Sequence, residues 1–280
     1  MPELPEVETV CQGMACVLEG RTIMEVVLRR ENLRAAFPVT LKETLENQTV
    51  THIKRRAKYI LLYTTDHHIM IVHLGMSGKI LLIPPAQNYD VQKHDHLILS
   101  FEDGGKMILN DARRFGMVML ANESDIETHK ALKLLGPEPL GNHFSAQSLY
   151  ESLRNKKTTI KAALMDQRLV AGLGNIYVCE SLFYAGIHPQ RRGDTVTETE
   201  SEKLVQAIRD VLGKAIAVGG STLKDYRHAD GSLGYFQHQF AVYNKEGKTC
   251  PRCSNVIDQC TIQRIVQNGR STFYCARTQE

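Results

Sequence analysis

Residues 59–83, YILLYTTDHHIMIVHLGMSGKILLI, decide the fold class. They hold three apolar runs, YILLYTT, IMIVHL and KILLI, each too short for a helix and separated by polar DHH and by the glycines of LGMSG. Runs of this kind read as strands. Upstream lies TIMEVVL at Thr22–Leu28, and downstream HLILSF, KMILN and MVML follow as far as Leu120, with turns such as EDGGK between them. Many short strands at this spacing imply a β-sandwich or barrel. Ahead of them Val7, Val10, Cys11, Met14, Val17 and Leu18 recur at helical spacing and Gly20 supplies a stop, which predicts an amphipathic helix over residues 5–19.

Past Leu120 the period changes. GPEPLG at Gly136–Gly141 is a turn-rich linker. Helices are expected at Ser145–Arg154, Thr159–Met165, Asn175–Ala185 and Glu198–Val218, the last carrying Leu204, Ile208, Val211, Leu212 and Ile216 on one face. RIVQNGRSTFY, near the end, alternates around an Asn-Gly dipeptide and reads as a two-residue hairpin. The expected class is an α+β multidomain chain: an N-terminal β-sandwich with its helix over residues 1–135, a linker 136–148, a helical domain 149–241 and a hairpin 242–280.

A chain of 280 residues with 42% hydrophobic content can bury more than one ordinary core. No stretch reaches the ~20 apolar residues of a membrane span, and the first residues resemble no signal peptide, so a cytoplasmic location is expected. The net charge of +3 says little about partners. Basic clusters stand at Lys54–Lys58, at Arg113 with Arg114 and at Arg154–Lys161, and each alone reads as a solvated face. Cys11, Cys16 and Cys179 sit in apolar surroundings and read as core. Cys250, Cys253, Cys260 and Cys275 crowd the end of the chain, which in a cytosolic protein points to metal. The C-x-x-C of Cys250 and Cys253 suits two thiolates on one tetrahedral zinc, with a strand pair returning Cys275.

MPELPEVET, residues 1–9, has two readings. If Met1 is trimmed, Pro2 becomes a terminal secondary amine titrating near ~8, able to attack carbonyl-like carbon, with Glu3 beside the forming bond. Alternatively, proline and glutamate simply open a helix. LVAGLGN, residues 169–175, places glycines before a helix start and exposes N–H groups suited to phosphate, with Lys156, Lys157 and Lys161 near in sequence. Arg270 follows the hairpin turn, where it either reaches a phosphate or is merely solvated.

Taken together, MPELPEVET, RRAKYILL, HLGMSG, KHDH, ARRFG, LVAGLGNIY, GGSTLKDY and GRSTFYC resemble the bacterial formamidopyrimidine-DNA glycosylase family over essentially the whole chain. The resemblance implies a central helix-two-turn-helix domain and a C-terminal zinc-finger hairpin. It implies a bifunctional glycosylase and abasic-site lyase of base excision repair that removes oxidised purines, formamidopyrimidines and 8-oxoguanine, from double-stranded DNA. By that resemblance Pro2 attacks the sugar, Glu3 handles proton transfers, Lys58 assists the lyase step and Arg270 acts in the second elimination. Met76, Arg113 and Phe115 match the residues that fill the gap left by the flipped nucleotide. His94, Lys156 and Asn175 match DNA contacts, and Ser221 and Thr222 fall in a loop that closes over the base. A monomer with no obligate protein partner is implied.

The chain departs from the family pattern in two places. Ala112 stands where the family has proline before Arg113, which loosens that turn. The second C-x-x-C is broken, because Thr278 stands three residues after Cys275. The expected zinc ligands are therefore Cys250, Cys253, Cys260 and Cys275, with Asp258 as an oxygen alternative. Three other readings were open: the sister endonuclease VIII, which acts on oxidised pyrimidines; a DNA-binding protein without catalysis; and a zinc hydrolase. The arginine–phenylalanine wedge, the retained Pro2, Glu3 and Lys58, and the lack of an open His/Glu metal cluster argue against them in turn.

Overall fold

The computed structural model describes residues 1–220, 239–253 and 260–280. Ser221, Thr222 and Asp258 lie outside the described residues. Contacts divide the chain into two units, one built on Met1–Lys133 and continued at Val218, the other on Leu134–Ala217 with the described residues of 236–280.

In the first unit the apolar alternation becomes two antiparallel four-stranded sheets. The strands are β1 (Ile23–Leu28), β2 (Val50–Arg56), β3 (Tyr59–Thr64), β4 (His68–His73), β5 (Lys79–Ile83), β6 (Asp95–Phe101), β7 (Lys106–Asn110) and β8 (Met117–Asn122). One sheet has the order β1-β6-β7-β5 and the other β2-β3-β4-β8. Alternate residues from both face one core: Ile60 and Leu62 of β3, Met70 and Val72 of β4, and Leu97, Leu99 and Phe101 of β6. The helix α1 (Leu4–Leu18) adds Val7, Val10, Met14 and Leu18 to that core, within a residue of the expected helix. Two elements were not foreseen. The strand β2 hides inside the basic VTHIKRR, and α2 (Leu41–Leu45) is too short for a period to show.

The second unit holds α3 (Ala146–Leu153), α4 (Ile160–Met165), α5 (Asn175–Ala185) and α6 (Glu198–Ala217). Ser145 and Thr159 cap α3 and α4 with their hydroxyls, as expected of such residues before an apolar run. The turn between α4 and α5 is stapled by Gln167, whose amide accepts from Gly172 N–H at 2.9 Å and donates to the Leu173 carbonyl at 2.8 Å. A hairpin of β9 (Gln263–Gln267) and β10 (Arg270–Tyr274) completes the unit. Its turn residues Asn268 and Gly269 both have positive φ, 49° and 72°, as an Asn-Gly hairpin requires. Among the described residues no helix is long and apolar enough to cross a membrane.

Candidate active site and nucleic-acid interface

The start of α1 holds an enclosed pair of acids. Glu3 is its N-cap and Glu6 its third residue, and the two form a reciprocal capping box in which Glu3 N–H donates to Glu6 Oε2 at 2.9 Å. Glu3 and Glu6 are 3% and 2% exposed, so both carboxylates are held in place rather than solvated. Pro2 is buried directly before them, while Met1 is 40% exposed. The helix-opening reading of MPELPEVET holds, and the residues that open the helix also form a fixed pair of acids behind Pro2.

Lys58 follows the turn between β2 and β3 and is 7% exposed. The turn passes through Ala57 in the left-handed region, at φ 53°. Arg55 braces it, pairing with Glu8 of α1 at 2.7 Å while donating to the Ala57 carbonyl at 3.1 Å. Cys11 of α1 also donates to the Lys54 carbonyl, at 3.7 Å. The KRRAK cluster, read alone as a solvated face, is thus partly internal. Burial, reinforced by the positive charges of Lys58 and Arg34, holds the His73 pKa down to about 4. His73 is consequently neutral, and its Nδ1 accepts from Gly75 N–H at 3.1 Å.

Met76 and Phe115 are 40% and 42% exposed, and Arg113 is exposed two residues before Phe115, its guanidinium 5.0 Å from the Phe115 ring centre. Large apolar side chains exposed to this extent are not core packing. His94 is half-buried, and its carbonyl accepts from Asp111 N–H at 3.0 Å.

In the second unit, Asn175 opens α5 and donates through Nδ2 to the Ser271 carbonyl at 2.9 Å, while its Oδ1 is buried with no hydrogen-bond partner among the described residues. Ser271 is the neighbour of Arg270, which is exposed at the start of β10. Lys156 is half-buried in the loop after α3. Lys161 differs from its reading as one of a solvated cluster: it is buried and donates to Thr272 Oγ1 at 2.5 Å and to the Ser271 carbonyl at 3.4 Å. It holds the hairpin rather than offering an open charge. Sequence reasoning also missed Glu180, buried in α5, whose carboxylate accepts the N–H groups of Ala241, Val242 and Tyr243 at 2.7–2.9 Å. An acid in the middle of the apolar α5 run was the available signal.

The four C-terminal cysteines converge. Their sulfurs lie within 4.8 Å of one another, with Cys253 and Cys260 at 3.8 Å and 3.2 Å from Cys275. Tetrahedral ligands at ~2.3 Å from a zinc ion stand roughly 3.8 Å apart, so the cluster can hold a metal. Thr278 Oγ1 is buried without a regular hydrogen bond and close enough to Cys275 to favour its thiolate.

Family models for the formamidopyrimidine-DNA glycosylase N-terminal domain and H2TH domain match residues 1–118 and 135–227. Curated relatives named formamidopyrimidine-DNA glycosylase include that of Rhodospirillum rubrum, 49% identical, and that of Dinoroseobacter shibae, 48% identical, each aligned over 100% of both chains. The chain belongs to the formamidopyrimidine-DNA glycosylase family. Solved structures agree: wild-type Lactococcus lactis Fpg with an N7-benzyl-Fapy-dG containing DNA, and Lactococcus lactis Fpg with an abasic site containing DNA, each match at a TM-score of 0.90 and 36% identity over 100% of both chains. Membership in this family makes the chain a DNA glycosylase of base excision repair.

Proposed function

We propose that the protein excises oxidised purines, formamidopyrimidines and 8-oxoguanine, from duplex DNA and then cleaves the strand at the resulting abasic site. The observation that carries this reading is the pair of buried carboxylates fixed behind Pro2, with an exposed Met1 that processing can remove. The freed Pro2 nitrogen forms a bond to the sugar C1′ as the glycosidic bond breaks and its electrons leave with the base. Glu3 moves protons to the departing groups. Opening of the sugar gives a cationic iminium that acidifies the C2′ hydrogen. Loss of that proton expels the 3′-phosphate, and a second elimination expels the 5′-phosphate. Lys58 and Arg270 stabilise the phosphate charge. Met76, Arg113 and Phe115 fill the gap left by the flipped nucleotide, while His94, Lys156 and Asn175 hold the backbone.

The cysteine cluster is read as a structural zinc site of Cys250, Cys253, Cys260 and Cys275. Its part is to keep the hairpin folded so that Arg270 stands at the turn.

The test is to incubate Met1-processed protein with duplex DNA carrying 8-oxoguanine opposite cytosine and to add borohydride. A covalent adduct that disappears in Pro2→Gly is expected. Binding without an adduct would leave only the DNA-binding reading.

A further inference from the structure

Beneath the wedge, two loops far apart in sequence meet on one carboxylate. Asp111 is fully buried. Its Oδ1 accepts from the Ser77 hydroxyl at 2.5 Å, and its Oδ2 accepts from Gly116 N–H at 2.8 Å. Ser77 directly follows Met76, and Gly116 directly follows Phe115. The Ser77 oxygen also accepts from Arg113 N–H at 3.1 Å, so it belongs to both loops. The Asp111 backbone is engaged as well, donating to the His94 carbonyl at 3.0 Å and accepting from His96 Nε2 at 2.9 Å. His94, Arg113, Met76 and Phe115 are therefore each bonded to Asp111, bonded to Ser77, or next in sequence to a residue bonded to Asp111.

The loops also approach closely at the backbone. A Cβ on Gly75 would fall 2.4 Å from the Phe115 carbonyl carbon and oxygen, so only glycine lets the two loops pack this tightly. Arg114, between the wedge residues, sits at φ 59°, a costly conformation that persists only where its surroundings impose it. Ala112 does not restrict that turn as proline would. A blander account is that Asp111 merely caps its own turn, which the bond to Gly116 alone would satisfy. The Ser77 bond spans 34 residues and caps nothing.

We propose that Asp111 and Ser77 are positioning residues that lock the Met76 loop and the Arg113–Phe115 loop into one wedge. The proposal rests on reading Met76, Arg113 and Phe115 as that wedge. Hydrogen-bond inventory separates the substitutions. In Asp111→Asn the amide oxygen still accepts from Gly116 and the amide N–H donates to the Ser77 oxygen, whose second lone pair keeps Arg113. Ser77→Ala removes only the link between the loops.

The experiment uses full-length protein and a duplex with a tetrahydrofuran abasic analogue opposite 2-aminopurine, whose fluorescence reports wedge insertion without any bond being cut. Ser77→Ala is expected to raise the protein concentration for half-maximal change by about tenfold, the scale of a hydrogen bond to a charged group. Asp111→Asn, which keeps each partner but loses the charge, is expected to cost less than Ser77→Ala, below about fivefold. In an Arg113→Ala, Phe115→Ala background, where affinity for the same duplex is read by the anisotropy of an end label, Ser77→Ala adds less than about twofold, since the loop it positions no longer carries wedge side chains. A wild-type response in Ser77→Ala, or an undiminished loss in that background, overturns the proposal. An unaltered protein with no fluorescence change overturns it together with the wedge. A protein that gives the signal but cuts nothing refutes the proposed activity, and the Ser77→Ala comparison still decides the wedge.

Discussion

At the start of α1 the partners are neighbours in sequence: Glu3 N–H meets Glu6 Oε2, three residues away. In the C-terminal hairpin they come from far off. Lys161 and Asn175 hold β10 from 111 and 96 residues away, and Gln279 links the Cys275 N–H to the Ile187 carbonyl. The first arrangement is written into a single helical turn and needs the core only to bury it. The second exists only when the helices, the cysteines and the chain end have all assembled. Substitutions at the first site should therefore alter chemistry with little effect on folding, and those at the second should alter folding and, through it, chemistry.

Glu3→Gln is the sharpest test of the first half. The amide can still accept from Glu6 N–H, so the cap survives, while proton transfer does not. Release of 8-oxoguanine in single turnover should fall by about 10²–10⁴, with a melting temperature close to that of the unaltered protein. A large loss of stability would show that the acid is structural. Cys260→Ser tests the second half. Bound zinc should drop well below one per chain by metal analysis, and β10 amides should lose hydrogen-exchange protection while α1 amides keep theirs. One zinc retained in Cys260→Ser would mean that another ligand completes the set.

Glu180→Gln asks whether the hairpin depends on an acid in a helix. One oxygen is lost to three backbone donors, leaving at least one buried N–H unpaired, at a cost of about 2 kcal/mol by denaturant unfolding. His73 gives a corresponding test in the first unit. Its folded pKa, about 4, lies below the usual 6.5, so between those values the unfolded chain takes up a proton that the native protein refuses. Stability present above pH 6.5 is lost as pH falls toward 4, with a slope of up to about 1.4 kcal/mol per pH unit. His73→Gln should flatten that slope, measured as the difference in unfolding free energy between the two proteins. An unchanged slope would show that His73 is protonated in the fold.

These contrasts also explain what the sequence disclosed. Periodicity revealed α1 and α6 because their apolar faces repeat over several turns, whereas α5 is buried on all sides from Asn175 to Phe183. The strand β2 stayed hidden because only Val50 and Ile53 mark its inner face, while Arg55 turns inward to Glu8. The helix start was legible in MPELPE, and the cysteines by count. Lys161 was misread as solvated, and Ser77, Gln167, Glu180 and Gln279 went unassigned. For Lys161, Ser77 and Glu180 the partner is set by the chain path rather than by spacing: Glu180 finds its donors 61–63 residues away.

Thr278→Val tests the smallest difference. Among the described residues the Thr278 hydroxyl is buried without a regular partner, close enough to Cys275 to favour its thiolate. If Cys260 has taken over the fourth position, that hydroxyl is no ligand and acts only by supporting Cys275. Replacing it with the near-isosteric valine should then leave zinc at one per chain and change stability by no more than about 1 kcal/mol. Were Thr278 instead a ligand, directly or through water, the same change would lower metal content. Thr278→Cys separates the cases further, since a fifth thiol beside a complete set leaves the stoichiometry at one, whereas beside an incomplete set it raises metal retention against a chelator.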